Sequence, residues 1–266
     1  MAEKQYRIAL LCDNLKTYRN HDIVEKIRKQ LYDYECLLDI YLTDCNEDYE
    51  AKYIELCKKH RVDGIIIFEC SSSANIKKQM KTSKIPVLYL CPTTTGVCVD
   101  IDEYQAAYQL GQHLNTYQHL MIRYLGSDVK LANIRIEAIK KAYHANKQPH
   151  DFAVKITDGS YTNSYERMKE MFAEQLDLLI LEDDTLAIPF LKYILEYHIK
   201  VPQNVSVVTF AGTELTQVFS PVMTSMIYDY EVYAQDIVAT LLAMIEGEEL
   251  PSRQLMFHLQ EGDSIR

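Results

Sequence analysis

Short apolar runs of four to six residues alternate with amphipathic stretches of ten or more almost to the end of this chain. That pattern suits parallel β-sheets covered by helices on both faces. Strands are predicted at Ile8 to Leu11, Leu37 to Leu42, Gly64 to Phe68 and Val87 to Leu90, with helices near Asp22 to Tyr32, Glu47 to His60 and Asn75 to Lys81. A short extended piece at Val97 to Val99 and a helix from Glu103 to Asn115 complete the first series. The second series runs strand Ile122 to Leu125, helix Ile134 to Ala145, strand Val154 to Ile156, helix Ser164 to Glu174, strand Leu178 to Leu181, helix Thr185 to His198 and strand Val205 to Phe210.

Each series has about the strand content of one doubly wound unit, so two similar α/β lobes are expected. No Pro- or Ser-rich linker divides them; Asn115 to His119 is merely polar. After Pro221 come a short strand at Ser225 to Ile227, a long helix near Tyr230 to Glu246 and a last strand around Leu255 to Leu259. On periodicity alone these could return to either lobe. The length of 266 residues fits two domains or one large α/β unit, and 48% apolar content excludes disorder.

Glycine removes several enzyme classes. The eight glycines are too dispersed to form G-x-G-x-x-G, a P-loop or a G-x-S-x-G elbow. The net charge of −10 repels a phosphate backbone and disfavours bare nucleic-acid binding. Seven cysteines, all in the first hundred residues, form no C-x-x-C pair and read as reduced core thiols. The eight histidines show no zinc spacing, so no metal is expected, and neither is a cofactor or a paired nucleophile and base. The polar start has no signal-peptide pattern and no apolar run nears the ~20 residues of a membrane span. A cytoplasmic protein is the expectation.

Carboxylates at strand ends carry the functional argument, because ligands of open parallel sheets bind beyond the carboxyl ends of the strands. Asp13 and Asn14 follow the first strand, Asp100 and Asp102 the extended piece, and Asp183 with Asp184 the strand ending at Leu181. Each alone also reads as the N-cap of the next helix. Together with Arg135, placed at the opening of a helix, they suit a polyhydroxylated ligand, since carboxylates accept from hydroxyls and Arg donates in a fork. Among 20 tyrosines, Tyr18, Tyr161 and Tyr230 stand where a ring can stack on a ligand.

The run VPQNVSVVTFAGTELTQVFSPVMTSM, Val201 to Met226, resembles the V-P-x-D-V-S-V-V-G-F-D-D and P-x-L-T-T signature of the lac-repressor (LacI/GalR) family effector domain. LDLLILEDDTLAI resembles its D-A-I-F-A-x-N-D-x-x-A, and VDGIII and IPVLYL its V-D-G-I-I and I-P-V-V. DEYQAAYQLGQHL, HLMIRYLG and RIEAIKKAY resemble its D-N-x-x-G-A-x-x-A-x-x-H-L, H-x-x-I-A-Y-I-x-G and R-x-x-G-F-x-x-A. The similarity is collinear from about Tyr6 to Leu259.

The resemblance implies a type I periplasmic-binding-protein-like fold, two Rossmann-like doubly wound lobes joined by three crossovers and closing on a small sugar-like or nucleoside-like effector. The N-terminal lobe would comprise residues 5–117 and 227–248, the C-terminal lobe 118–226 and 249–266. Asp102, Arg135 and Asp184 match effector-contacting positions with identity; Asp13, Tyr161 and Tyr230 match cleft positions loosely. The chain departs from the family at Ala211 and Gly212, where two acidic residues are usual, at Asp183 for Asn and at Ala138 for Gly. A shifted carboxylate pattern puts the usual sugar in question.

The chain begins about five residues before the first expected strand, without the helix-turn-helix headpiece of family regulators. The expectation is a ligand-sensing, dimerising core of a transcriptional regulator, with a small-molecule effector and a second copy as partners, no catalysis, and no operator binding of its own. A solute-binding component of a transport system shares the fold and is the alternative. A small enzyme using paired carboxylates is the remote one.

Overall fold

In a computed structural model, residues 5–68, 79, 84–91, 96–117, 119–144 and 151–266 are described. The first strands are β1 (Arg7–Cys12), β2 (Leu37–Leu42), β3 (Gly64–Phe68), β4 (Val87–Tyr89) and β5 (Val97–Ile101). The next are β6 (Met121–Gly126), β7 (Asp151–Ile156), β8 (Leu178–Leu181), β9 (Ser206–Ala211) and β10 (Thr224–Ile227), and the tail adds β11 (Arg253–Leu255) and β12 (His258–Gln260). The described helices are α1 (Tyr18–Asp33), α2 (Glu47–His60), α3 (Glu103–Leu114), α4 (Val129–His144), α5 (Tyr161–Ala173), α6 (Ala187–Glu196), α7 (Glu214–Val218) and α8 (Tyr230–Ile245). Of the helix expected over 75–81, all but Gln79 falls outside the described residues.

Every residue of β3 and of β8 is buried, which is why both read as unbroken apolar runs rather than as alternation. The strands form two six-stranded sheets, β11-β5-β4-β3-β1-β2 and β12-β10-β9-β8-β6-β7. Without its tail strand each repeats the same parallel order, second-first-third-fourth-fifth. The order reverses between β1 and β3 in the first sheet and between β6 and β8 in the second. Crevices at such reversals are where open α/β sheets take ligands.

The chain divides into two units, residues 1–101 with 229–255 and residues 102–228 with 256–266, and passes between them three times. In the first unit α8 packs on α1 and on β3. Ile237 and Leu241 have no exposed surface, each burial stabilising by about 1.5–3 kcal/mol. In the second unit α3 lies against α4 across Gly111, where an added Cβ would stand 2.7 Å from Ala142 Cβ and 3.0 Å from Ile139 Cα.

Several expectations shift. The helix expected from Ile134 begins at Val129, because Asp128 Oδ1 accepts from Lys130 N and Leu131 N and caps it five residues earlier. Arg135 therefore sits in its second turn rather than at its opening. The helix expected from Asp22 begins at Tyr18 for the same reason, with Thr17 as cap. The single last strand is two: β11 pairs parallel with β5 and β12 antiparallel with β10, so the tail joins both sheets. The lobe boundaries drawn after 117 and 248 differ from the division at 101 and 255, because α3 packs on α4 and β11 extends the first sheet. Helix α7, which the sequence reading lacks, is one short turn capped by Thr213.

Candidate functional site

Helix α4 is amphipathic, and its buried stripe includes one charge. Arg135 is 2% exposed. Its Nε and Nη2 donate to Glu103 Oε2 at 2.9 and 2.7 Å, and its Nη1 donates to the Glu182 carbonyl at 2.7 Å and to the Tyr124 hydroxyl at 3.3 Å. The guanidinium carbon lies over the Phe210 ring, 3.7 Å from its centre, a cation–π contact strengthened by desolvation. Burial works against the charge, but Glu103, Tyr124 and Glu182 outweigh it and hold Arg135 protonated. One side chain thus ties the start of α3, the middle of β6, the end of β8 and β9 together.

Glu182, 5% exposed, leaves β8 on the face it shares with Leu178 and Ile180 and turns into the loop after β6. Its Oε1 accepts from Ser127 N at 2.9 Å, Ser127 Oγ at 2.9 Å and Asp128 N at 3.2 Å, and its Oε2 accepts from the Tyr124 hydroxyl at 3.3 Å. Four donors around one carboxyl address its ionised form. Burial raises its pKa; Arg135 and the Ser127 donors pull it back. Only glycine fits opposite, since a Cβ on Gly126 would overlap Glu182 Oε2.

Asp184, 1% exposed, opens a 3-10 turn after β8. Its Oδ2 accepts from Thr213 N at 2.5 Å and its Oδ1 from Thr209 Oγ1 at 3.1 Å, which pins the loop between β9 and α7. Burial pushes its pKa up from 3.8 to about 6 despite these donors.

Asp102, half-buried, is the N-cap of α3, its Oδ1 accepting from Gln105 N at 2.9 Å. Asp183 is the cap of the 3-10 turn. Tyr161 is 46% exposed at the first position of α5, its ring parallel to that of Tyr165. Asp102, Arg135, Asp184 and Tyr161 therefore belong to the second unit, and Arg135 links directly to Glu103 beside Asp102 and to Glu182 two residues before Asp184. Asp13 and Tyr230 belong to the first unit. Asp13 sits past β1 at the strand-order reversal and accepts from Asn14 N and Nδ2 and from Asn20 Nδ2. Tyr230 is buried in the first turn of α8.

Sequence reasoning missed Glu103, Tyr124 and Glu182. None of the three carried a signal in the sequence: both faces of β8 are buried, so alternation past Leu181 does not separate Glu182 from Asp183. Among the described residues no group of three or more His, Cys, Asp or Glu side chains is placed to hold a metal ion, and no helix is long and apolar enough to cross a membrane.

Comparison with known proteins gives the family. The profile of the periplasmic binding protein-like domain matches residues 112–265, more than half of the chain. The HTH-type transcriptional regulator GntR of Escherichia coli K12 is 26% identical over 228 residues, spanning 82% of this chain and 68% of the regulator. A LacI family transcriptional regulator from Enterococcus faecium with bound ribose superposes with a TM-score of 0.87 at 19% identity, covering 97% of this chain and 98% of that one. A periplasmic binding protein/LacI transcriptional regulator from Alkaliphilus metalliredigens complexed with D-xylulofuranose does so with a TM-score of 0.83 at 20% identity, covering 98% and 100%. With two doubly wound sheets in the same strand order and this profile over more than half of its length, the chain belongs to the periplasmic binding protein-like domain family.

Proposed function

We propose that this chain is the ligand-sensing and dimerising part of a LacI-type transcriptional regulator and takes a small polyhydroxylated effector. The observation that carries this reading is the buried Glu103–Arg135–Glu182 chain at the carboxyl ends of the second sheet. It holds the start of α3, and with it Asp102, against the strand-order reversal where ligands of such sheets bind. The ribose and D-xylulofuranose bound to the two structural neighbours support a sugar-like ligand.

In this reading Asp102 accepts from an effector hydroxyl, while Arg135 acts as a positioning residue through Glu103. Asp184 fixes the loop before α7, and Tyr161 offers an exposed ring at the same end of the sheet. Asp13 and Tyr230 are the first unit's candidates. A ligand that satisfies Asp102 better in one arrangement of α3 and α4 than in another shifts the population between them. The second copy is supported by exposed apolar residues of the second unit, Ile188, Leu195 and Val218 at 40%, 65% and 75% exposure. The acidic net charge assigns operator contact to neither unit.

Calorimetry with ribose, other pentoses, hexoses and nucleosides tests the reading, with Asp102→Asn as the variant. Asparagine caps a helix about as well as aspartate, so the fold is retained while the charged acceptor is lost. Saturable binding weakened about tenfold or more in Asp102→Asn is the expected result. Absence of binding across the panel, or unchanged affinity in the variant, overturns it.

A further inference from the structure

We propose that Glu182 is a specificity-determining residue: its carboxylate occupies the anion position at the start of α4, so the effector carries neither a phosphate nor a carboxylate. This rests on the effector reading above and narrows its ligand class. The loop after β6 and the loop after β8 flank the strand-order reversal of the second sheet. In such sheets the free amides at the following helix start form an anion site, aided by the helix dipole. Here four of those amides are engaged from within. Ser127 N and Asp128 N donate to Glu182, and Lys130 N and Leu131 N donate to Asp128 Oδ1.

The neighbouring helix starts on this edge each carry a side-chain cap. Asp102 caps α3, Ser160 caps α5 with Asp158 accepting from Ser160 N, and Asp183 caps the 3-10 turn. The Thr213 amide that opens α7 donates to Asp184. An arriving anion would therefore meet six carboxylates at these helix starts, those of Glu182, Asp128, Asp102, Asp158, Asp183 and Asp184. The buried cation at this edge offers no compensation, because Arg135 is already paired with Glu103. Arg123, the other buried arginine, pairs with Asp151 at the start of β7, toward the opposite end of the sheet. Gly126 makes the arrangement possible, since any larger residue would displace the Glu182 carboxylate. An uncharged polyol has only hydroxyls to donate, and carboxylates accept them.

The experiment has two arms on the full chain. Calorimetry compares ribose with its terminal phosphate ester, and amide NMR follows Ser127 and Asp128 during titration with inorganic phosphate. In the wild type, ribose should bind at least about tenfold tighter than the ester, and phosphate should leave the two amides unmoved. In Glu182→Ala, phosphate should shift both amides saturably; in Glu182→Gln, which keeps an acceptor oxygen in place, it should not. Saturable phosphate shifts in the wild type, or an ester that binds as tightly as ribose, overturn the proposal. Should Glu182→Ala not fold, the two wild-type measurements decide alone. No sugar binding with the phosphate arm as expected overturns the effector reading and leaves anion exclusion by Glu182 standing.

Discussion

Arg135 and Glu103, 32 positions apart, meet through two N–H groups on one carboxylate oxygen, Nε at 2.9 Å and Nη2 at 2.7 Å, with the guanidinium 2% exposed. A buried pair of this kind contributes little over an apolar pair of the same shape, but removing one partner is costly because the other charge stays behind. Glu103→Ala should therefore lose about 3–5 kcal/mol in urea unfolding. The double variant Glu103→Leu with Arg135→Met should lose less than that single change. A loss below about 1 kcal/mol for Glu103→Ala would mean that water replaces the carboxylate.

Gly126 and Glu182 form a steric pair. Gly126→Ala should destabilise by about 1–3 kcal/mol through overpacking against Glu182 and Tyr124. Adding Glu182→Ala removes the clashing oxygen, so the two changes together should cost less than their sum. Additive losses in a double-mutant cycle would show that Tyr124, whose ring would lie 2.8 Å from the new Cβ, is the sole obstacle.

Asp184 makes stability depend on pH. Its folded pKa of about 6 lies above its ordinary 3.8, so the folded state holds a proton that the unfolded chain releases. The stabilisation is complete below the ordinary value and is lost as pH rises through about 6. The protonated form is accommodated because Thr209 Oγ1 can donate to the Phe210 carbonyl, 3.0 Å away, and accept from Asp184. The stability difference between the wild type and Asp184→Asn should shrink or reverse across that interval and level off above it. Parallel denaturation curves at every pH would refute the assignment.

The proposed dimer makes the exposed apolar residues of the second unit sensitive to charge. Leu195→Asp and Val218→Asp, at 65% and 75% exposure, should leave monomer stability within about 0.5 kcal/mol. Light scattering should show a halved mass for the variants relative to the parent chain. An unchanged mass in both would move the interface elsewhere.

The sequence reading and the structure agree best where local pattern suffices. The bounds of β2, β3, β8 and α2 coincide with expectation, because an apolar run, broken only by Asp39 in β2, or a clean cap at Asn46 marks each element. Agreement is weaker at α1 and α4, whose first turns are polar and are held by Thr17 and Asp128 rather than by an apolar stripe. The tail was ambiguous by periodicity because β11 and β12, three residues each, are too short to carry one. At the site, Asp102 and Asp183 were legible both as caps and as candidate ligands, and the structure shows the capping bonds. Glu103 and Tyr124 gave no sequence signal, since one follows a cap and the other lies inside a strand.

Sequence alone determined the element types, the parallel class of both sheets and the clustering of carboxylates at strand ends, because periodicities of two and 3.6 are local properties of the chain. Tertiary structure decided which of those carboxylates became internal. Glu182 and Asp184 are buried, while Asp102 keeps a half-exposed cap, and nothing in their immediate neighbours distinguishes them. The difference arises from partners dozens of positions away, Ser127 for Glu182 and Thr213 for Asp184. A buried carboxylate persists only where folding delivers such donors to it.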